Sequence, residues 1–279
     1  MLNRIFHDNP SIVMPPPESN LVLSDYEKEI LNKWILQGGK WKKHWSYNKP
    51  IKPKIPAVKN KRWINNDIDY FTLKNIEANG LNISILEDKE ILIRRLYFDL
   101  IGLPPRVEEI DKFLNDQTEN SYEKIVDKLL NSENYGERMA SIWMDIARYG
   151  DSHGYQYDLE RVMWPWRDWV IHAYNSNLPY DEFITWQLAG DLIPNATKEQ
   201  IIATGFNRNH KITQEGGVIP EEYRTEYVAD RTNTTSKMML GLTMECARCH
   251  SHKYDEISHD EYYGMFSYFN NIDEEGLIT

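Results

Sequence analysis

The stretch Glu90-Ile91-Leu92-Ile93-Arg94-Arg95-Leu96-Tyr97-Phe98-Asp99-Leu100, closed by Ile101-Gly102-Leu103-Pro104-Pro105, decides the fold class. Ile91, Leu92, Leu96 and Leu100 recur at helical intervals, and a glycine followed by two prolines stops the run. The same grammar repeats outward. On the C-terminal side a short helix is predicted at about Val107 to Leu114. Asn120 and Glu123 open another, carrying Ile125, Val126, Leu129 and Leu130. Residues 135–149 present Met139, Ile142, Trp143 and Ile146 before Gly150. Further helices are predicted at 164–175, 180–190 and 198–206, the last opened by Thr197 with Gln200 as its capping partner. A longer one runs from Pro220, suited to a first helical position, to about Leu240. On the N-terminal side Ile68, Phe71, Leu73 and Ile76 precede Gly80. Ser24-Asp25-Tyr26-Glu27 is a capping box, opening a helix with Ile30, Leu31, Trp34 and Ile35 on one face and a stop at Gly38-Gly39. Strand-type alternation is nearly absent. The predicted fold is all-α, an irregular multi-helix domain.

Composition divides the chain further. Between the first helix and residue 67, Pro50, Pro53 and Pro56 fall every third residue among lysines, which favours an extended strap. Three parts are therefore expected: residues 1–40, a Pro/Lys-rich linker at 41–66, and a helical domain at 67–279. Hydrophobic residues make up 41% and charged residues 27% of the 279, with nine Trp and seventeen Tyr, the composition of a globular rather than a disordered chain. The net charge of −11 and the lack of a dominant basic run argue against nucleic acid or an anionic membrane surface as partner. No stretch approaches the roughly 18 apolar residues that span a bilayer. Met1 to Ser11 carries His, Asp and Asn where a signal peptide needs an apolar core.

Only two cysteines occur, and both lie in Cys246-Ala247-Arg248-Cys249-His250. This is the spacing of c-type haem attachment. Two thiols separated by two residues can add across the vinyl groups of adjacent pyrrole rings, and the next residue, His250, supplies the proximal imidazole. One covalent haem c on Cys246, Cys249 and His250 is expected. Two other chemistries use the same residues: a redox disulfide, and a zinc site completed by His252 or His259. Ser258-His259-Asp260-Glu261 is a further capping box, opening a helix that bears Tyr262, Tyr263, Met265, Phe266 and Phe269. The sixth ligand is left open among Met238, Met239, Met244, Met265, His210 and His259. Gln214-Glu215-Gly216-Gly217 reads as an acidic loop able to hold a carboxylate near an open iron site. Asp145, Arg148, Asp151 and His153 gather around a predicted helix end.

Several longer motifs carry a resemblance. They are Leu96-Tyr97-Phe98-Asp99-Leu100-Ile101-Gly102-Leu103-Pro104-Pro105, Tyr135-Gly136-Glu137-Arg138 and Gln187-Leu188-Ala189-Gly190-Asp191-Leu192. The densest runs from Glu222 through Asp230-Arg231-Thr232-Asn233-Thr234-Thr235 to His250-Ser251-His252-Lys253-Tyr254-Asp255. From about Trp63 to Asn271 the chain resembles the haem-motif domain of the large planctomycete-type cytochrome c proteins, whose middle domain is of unknown function. That resemblance implies a small cytochrome c domain before this one and a further domain after it. Met14-Pro15-Pro16-Pro17, with the helix ending at Gly38-Gly39, is similar to the closing part of such a cytochrome domain. Residues 1–40 would then be its remnant, and the second haem would belong to an upstream part outside this sequence. The resemblance further implies a fragment of a longer exported, periplasmic or surface redox protein. The function expected is electron transfer to or from a redox partner domain or protein. The alternatives are a peroxidase- or oxidase-like haem enzyme and a structural zinc-binding module.

Overall fold

Local capping chemistry opens about half of the α-helices of the computed structural model, which describes residues 1–42 and 44–277. The chain divides into two compact units, residues 1–85 and 86–279. The first holds α1 (Leu2–Ile5), α2 (Asp25–Leu36) and α3 (Asp67–Ala78). Ser24 and Glu27 form the reciprocal capping box expected for α2, and the helix closes with Gly39 N–H donating to Trp34 O and Gly38 N–H to Ile35 O. Gly38, at φ +100°, takes the left-handed position that this closure requires. α3 opens on Asn66, whose side chain accepts from Ile68 and Asp69 N–H, a cap the sequence prediction overlooked. Between them, residues 44–66 hold only the short turns Trp45–Tyr47 and Lys61–Trp63. The predicted apolar face of α2 is not buried: the helix has no buried residue, and Ile30 and Trp34 are exposed. A 12-residue helix can bury a stripe only against a second layer, and the short elements of this unit supply none for α2.

The second unit is built on three small cores. α4 (Lys89–Leu100), α5 (Val107–Asn115) and α6 (Ser121–Leu130) enclose the first, formed by Ile93, Tyr97, Phe113 and Leu129. The α4 face is rotated from the prediction. Ile93 and Tyr97 are buried, whereas Ile91 is exposed. Asn120 precedes α6 but its side chain makes no capping bond. Glu109 on α5 accepts from Lys128 on α6 and from Arg106 N–H. Partial burial pushes the Glu109 carboxyl up, but these bonds and that with Tyr97 outweigh it and hold the group at about 2.

The second core joins α7 (Glu133–Ile146), α8 (Trp164–Asn175), α9 (Tyr180–Ala189) and α10 (Lys198–Ala203) with the turn Thr204–Arg208. Trp143, Trp166, Trp169, Val170, Phe183 and Phe206 fill it, and Trp169 stacks on Phe183 at 5.5 Å. Its one deeply buried amide, Gln187, is satisfied: Trp143 Nε1–H donates to its oxygen at 2.9 Å, and its nitrogen donates to Phe183 O at 3.0 Å. The α7 face also differs from expectation. Ile142 and Ile146 are exposed, while Gly136, Ala140 and Trp143 are buried. Small residues let α7 approach α8 closely, and Gly136 N–H donates to Asn175 Oδ1 at 2.8 Å.

α11 (Pro220–Thr235) continues through a wider π-type turn, Ser236–Leu240, matching the predicted extent to Leu240. α12 (His259–Ser267) follows, opened by the expected Ser258–Glu261 capping box. It packs over the third core, Met244, Ala247, Ile257 and Tyr262. Among the described residues the only β-type contacts are isolated bridges, Ser152 with Glu160 and Thr213 with Leu277, so the fold is all-helical as predicted.

A Cβ on Gly136 would stand 2.5 Å from the Asn175 side chain and 2.5 Å from Ile171 O. Gly136→Ala is therefore expected to separate α7 from α8 and destabilise the chain by about 1–3 kcal/mol. Chemical denaturation checks this, and a variant as stable as the parent would contradict the packing described.

Candidate haem-attachment turn and adjoining cleft

The Cys246–His250 segment is a surface turn pinned from beneath. Met244 and Ala247 are buried in the third core, and the turn Glu245–Arg248 holds them there. Because Ala247 points inward, the cysteines on either side of the turn face outward; both thiols are free and exposed. Arg248, between them, forms an ion pair with Glu226 of α11. Its carbonyl accepts from Tyr263 Oη–H at 3.1 Å and from His259 Nε2 at 3.1 Å, so the turn is tied to α12 as well. His250 is exposed, and its Nδ1 lies 2.9 Å from Ser251 O. A carbonyl only accepts, so Nδ1 carries the proton and Nε2 presents its lone pair. This is the tautomer that a ligating imidazole needs, set by the partner of its other nitrogen.

The remaining histidines do not converge on the cysteines. His252 Nδ1 accepts from Asp255 N–H at 2.8 Å, and His259 is turned to the Arg248 carbonyl. Among the described residues no group of three or more His, Cys, Asp or Glu side chains is arranged to hold a metal ion. Two of the residues considered for the sixth position are committed elsewhere: Met244 is core, and both ring nitrogens of His210 are engaged. Asp145, Arg148, Asp151 and His153 do not form one cluster either. Arg148 pairs with Asp230, Asp151 accepts from Tyr149 Oη–H and from Met163 N–H, and His153 is buried. Glu215, on its exposed loop, accepts from Gln156.

A cleft of about 1230 Å³ lies elsewhere in the second unit, lined by none of Cys246, Cys249 or His250. Residues of α11, α12, the Thr204–Arg208 turn and the segment after α12 form its walls. At its back is Arg231, buried to 3% exposure. Its Nε–H donates to Asn207 O at 2.7 Å, its two terminal nitrogens form a fork with the Glu274 carboxylate, and one of them donates to His210 Nε2 at 2.7 Å. His210 stacks on Tyr227 at 4.5 Å, and its Nδ1 donates to Lys211 O at 2.8 Å. With Nδ1 protonated and Nε2 accepting from a guanidinium, His210 is fixed as a neutral imidazole. Burial, then the charge of Arg231, pushes its pKa down to about 3. Arg161, Arg208 and Arg231 were not among the residues expected to form a site. The one available signal was the position of Arg231 within the Asp230–Thr235 motif.

Residues 67–274 match the profile of the family described as PSCyt2, protein of unknown function (DUF1549). The chain belongs to this family. No curated protein and no solved structure gives a significant match. Among the described residues no helix is long and apolar enough to cross a membrane.

The depressed pKa of His210 has a consequence for acid stability. Unfolded, the imidazole takes a proton near 6.5; folded, it stays neutral down to about 3. The unfolded state therefore binds the extra proton in this window, and stability is complete above pH 6.5 and lost as pH falls toward 3. The loss attributable to His210 approaches about 1.4 kcal/mol per pH unit. Denaturation of the parent and of His210→Gln between pH 7 and 4 should show a shallower acid slope in the variant. Equal slopes would contradict a buried neutral imidazole.

Proposed function

We propose that this chain carries one covalent haem c on Cys246, Cys249 and His250 and works as a redox protein outside the cytoplasm. One observation carries the reading: two unpaired, outward-facing thiols and an imidazole with a free Nε2 lone pair occupy a single pinned turn. The donor set suits the group, because thioether formation needs accessible free thiols and axial ligation needs an unprotonated ring nitrogen. Haem supplies reversible one-electron chemistry when bound. The protein's own contribution is positional. Ala247 and Met244 hold the turn, the Ser251 carbonyl fixes the imidazole tautomer, and Arg248 anchors the turn to α11.

The compartment follows from the chemistry, since haem attachment to such a motif is carried out outside the cytoplasm, in agreement with the planctomycete-type cytochrome c resemblance. Electron transfer to or from a partner domain is the function favoured over a zinc module. The zinc reading has no convergent group of three or more ligands among the described residues.

Protein matured with a haem-attachment system should keep a haem-linked peroxidase stain on a denaturing gel. The Cys246→Ala/Cys249→Ala double variant should lose it entirely. His250→Ala should retain covalent haem but lose the low-spin spectrum of a histidine-ligated iron. Absence of the stain in the parent, or zinc by elemental analysis with no Soret band, would overturn the assignment.

A further inference from the structure

Two cations of the cleft, the half-buried Arg161 and the exposed Arg208, form no ion pair with any described residue. Arg161 follows the Ser152–Glu160 bridge and is held by its backbone N–H to Asp151 O at 2.9 Å. Its guanidinium donates once, to His210 O at 3.1 Å, and its Nε is buried with no hydrogen-bond partner among the described residues. Arg208, across the Thr204–Arg208 turn, makes no side-chain hydrogen bond or ion pair with any described residue. Both line the cleft. Burial, then the neighbouring charges of Arg208 and Arg148, pushes the Arg161 pKa down, so these cations stand close enough to repel. Carboxylates relieve them only in part: the charge of Asp151 raises the Arg161 pKa, but by less than either arginine lowers it. Asp230 is taken by Arg148 and Glu274 by Arg231, while Asp191, Asp273 and Glu275, which also line the cleft, form no ion pair with either arginine.

A partly desolvated guanidinium facing a like charge is destabilising unless an anion completes it. The fork of N–H groups on arginine suits a planar carboxylate or a phosphate, which takes two parallel bonds. Leu188, Leu192, Met265 and Phe269 also line the cleft and give it apolar surface. Asn207 adds a polar mark: its Nδ2 donates to Gln187 O and Leu188 O at 3.2 Å each, leaving a buried Oδ1 with no partner among the described residues.

We propose that this cleft binds a small organic anion, its oxyanion clamped by Arg161 and Arg208 and its apolar body seated against Leu188, Leu192 and Phe269. Arg231 and neutral His210 are positioning residues, holding the back wall and the carbonyl on which Arg161 rests. The site is independent of the haem assignment, because none of its residues belongs to the attachment turn.

Calorimetric titration of the full chain at low salt tests the proposal with inorganic phosphate, phenyl phosphate and benzoate. Phenyl phosphate or benzoate should bind saturably, and at least about tenfold more tightly than inorganic phosphate if the apolar wall contributes. Which of the two binds better identifies the oxyanion as phosphate-like or carboxylate. Arg208→Gln, at an exposed side chain with no described bond, should fold normally and weaken binding about tenfold or more. Arg161→Lys keeps the charge but removes the fork and should also weaken it. Arg95→Gln, remote and paired with Glu87, should leave affinity unchanged. No saturable heat from either organic anion, or an Arg208→Gln affinity equal to that of the parent, would overturn the proposal.

Discussion

The buried guanidinium of Arg231 is the contact on which the second unit's architecture turns. A charge at 3% exposure must find its hydrogen bonds within the protein, and this one does so in three segments distant in sequence. Asn207 lies in the turn after α10, His210 in the irregular segment that follows, and Glu274 beyond α12. Loss of any one partner would leave a buried charge incompletely paired, a change worth roughly 3–5 kcal/mol in comparable cases. The same contact dictates the protonation of His210, since a guanidinium can only donate. Tyr227 completes the tie one turn earlier on α11, accepting from Thr213 N–H at 2.8 Å and donating to Gly276 O at 2.7 Å.

Arg231 and the attachment turn meet on opposite sides of the same helix. On α11, Glu226 faces Arg248 and the turn, while Tyr227, Arg231 and Thr235 face the cleft. α12 repeats the division: Tyr262 is buried in the core under the turn, and Met265, packed against that core, also lines the cleft. The two sites are therefore built on one pair of helices rather than on separate scaffolds.

Helix positions were largely legible in the sequence because caps are local. A serine accepting an N–H three residues on, or a glycine at positive φ, needs no tertiary partner to be recognised. Helix faces were legible only in part. Counting large apolar residues put Ile142 and Ile146 inward, yet close packing of α7 on α8 selects Gly136, Ala140 and Ala147, which carry little weight in such a count. Ile91 misled for a related reason: Tyr97, a residue with a polar tip, shares the inner face with Ile93. The Cys246–His250 motif could be singled out because its residues are contiguous. The cleft could not, because its cations come from a loop, a turn and a helix whose convergence only the fold creates.

Arg148 shows how the cleft comes to hold uncompensated charge. It sits at the position after the α7 C-cap with φ +51°, a place usually given to glycine, and closes the helix through Tyr149 N–H to Met144 O. A non-glycine residue there is strained, and the bond from its guanidinium to Asp230 on α11 offsets that strain. Asp230 is thereby committed to Arg148, one residue along α11 from the buried Arg231. Glu274 is likewise committed to Arg231, so neither carboxylate pairs with Arg161 or Arg208 in the cleft. With a net charge of −11, the chain as a whole repels anions at distance. That field is screened over roughly 8 Å at physiological salt. Recognition in the cleft must then be short-ranged and geometric, resting on the fork of Arg161 and the apolar wall rather than on electrostatic steering.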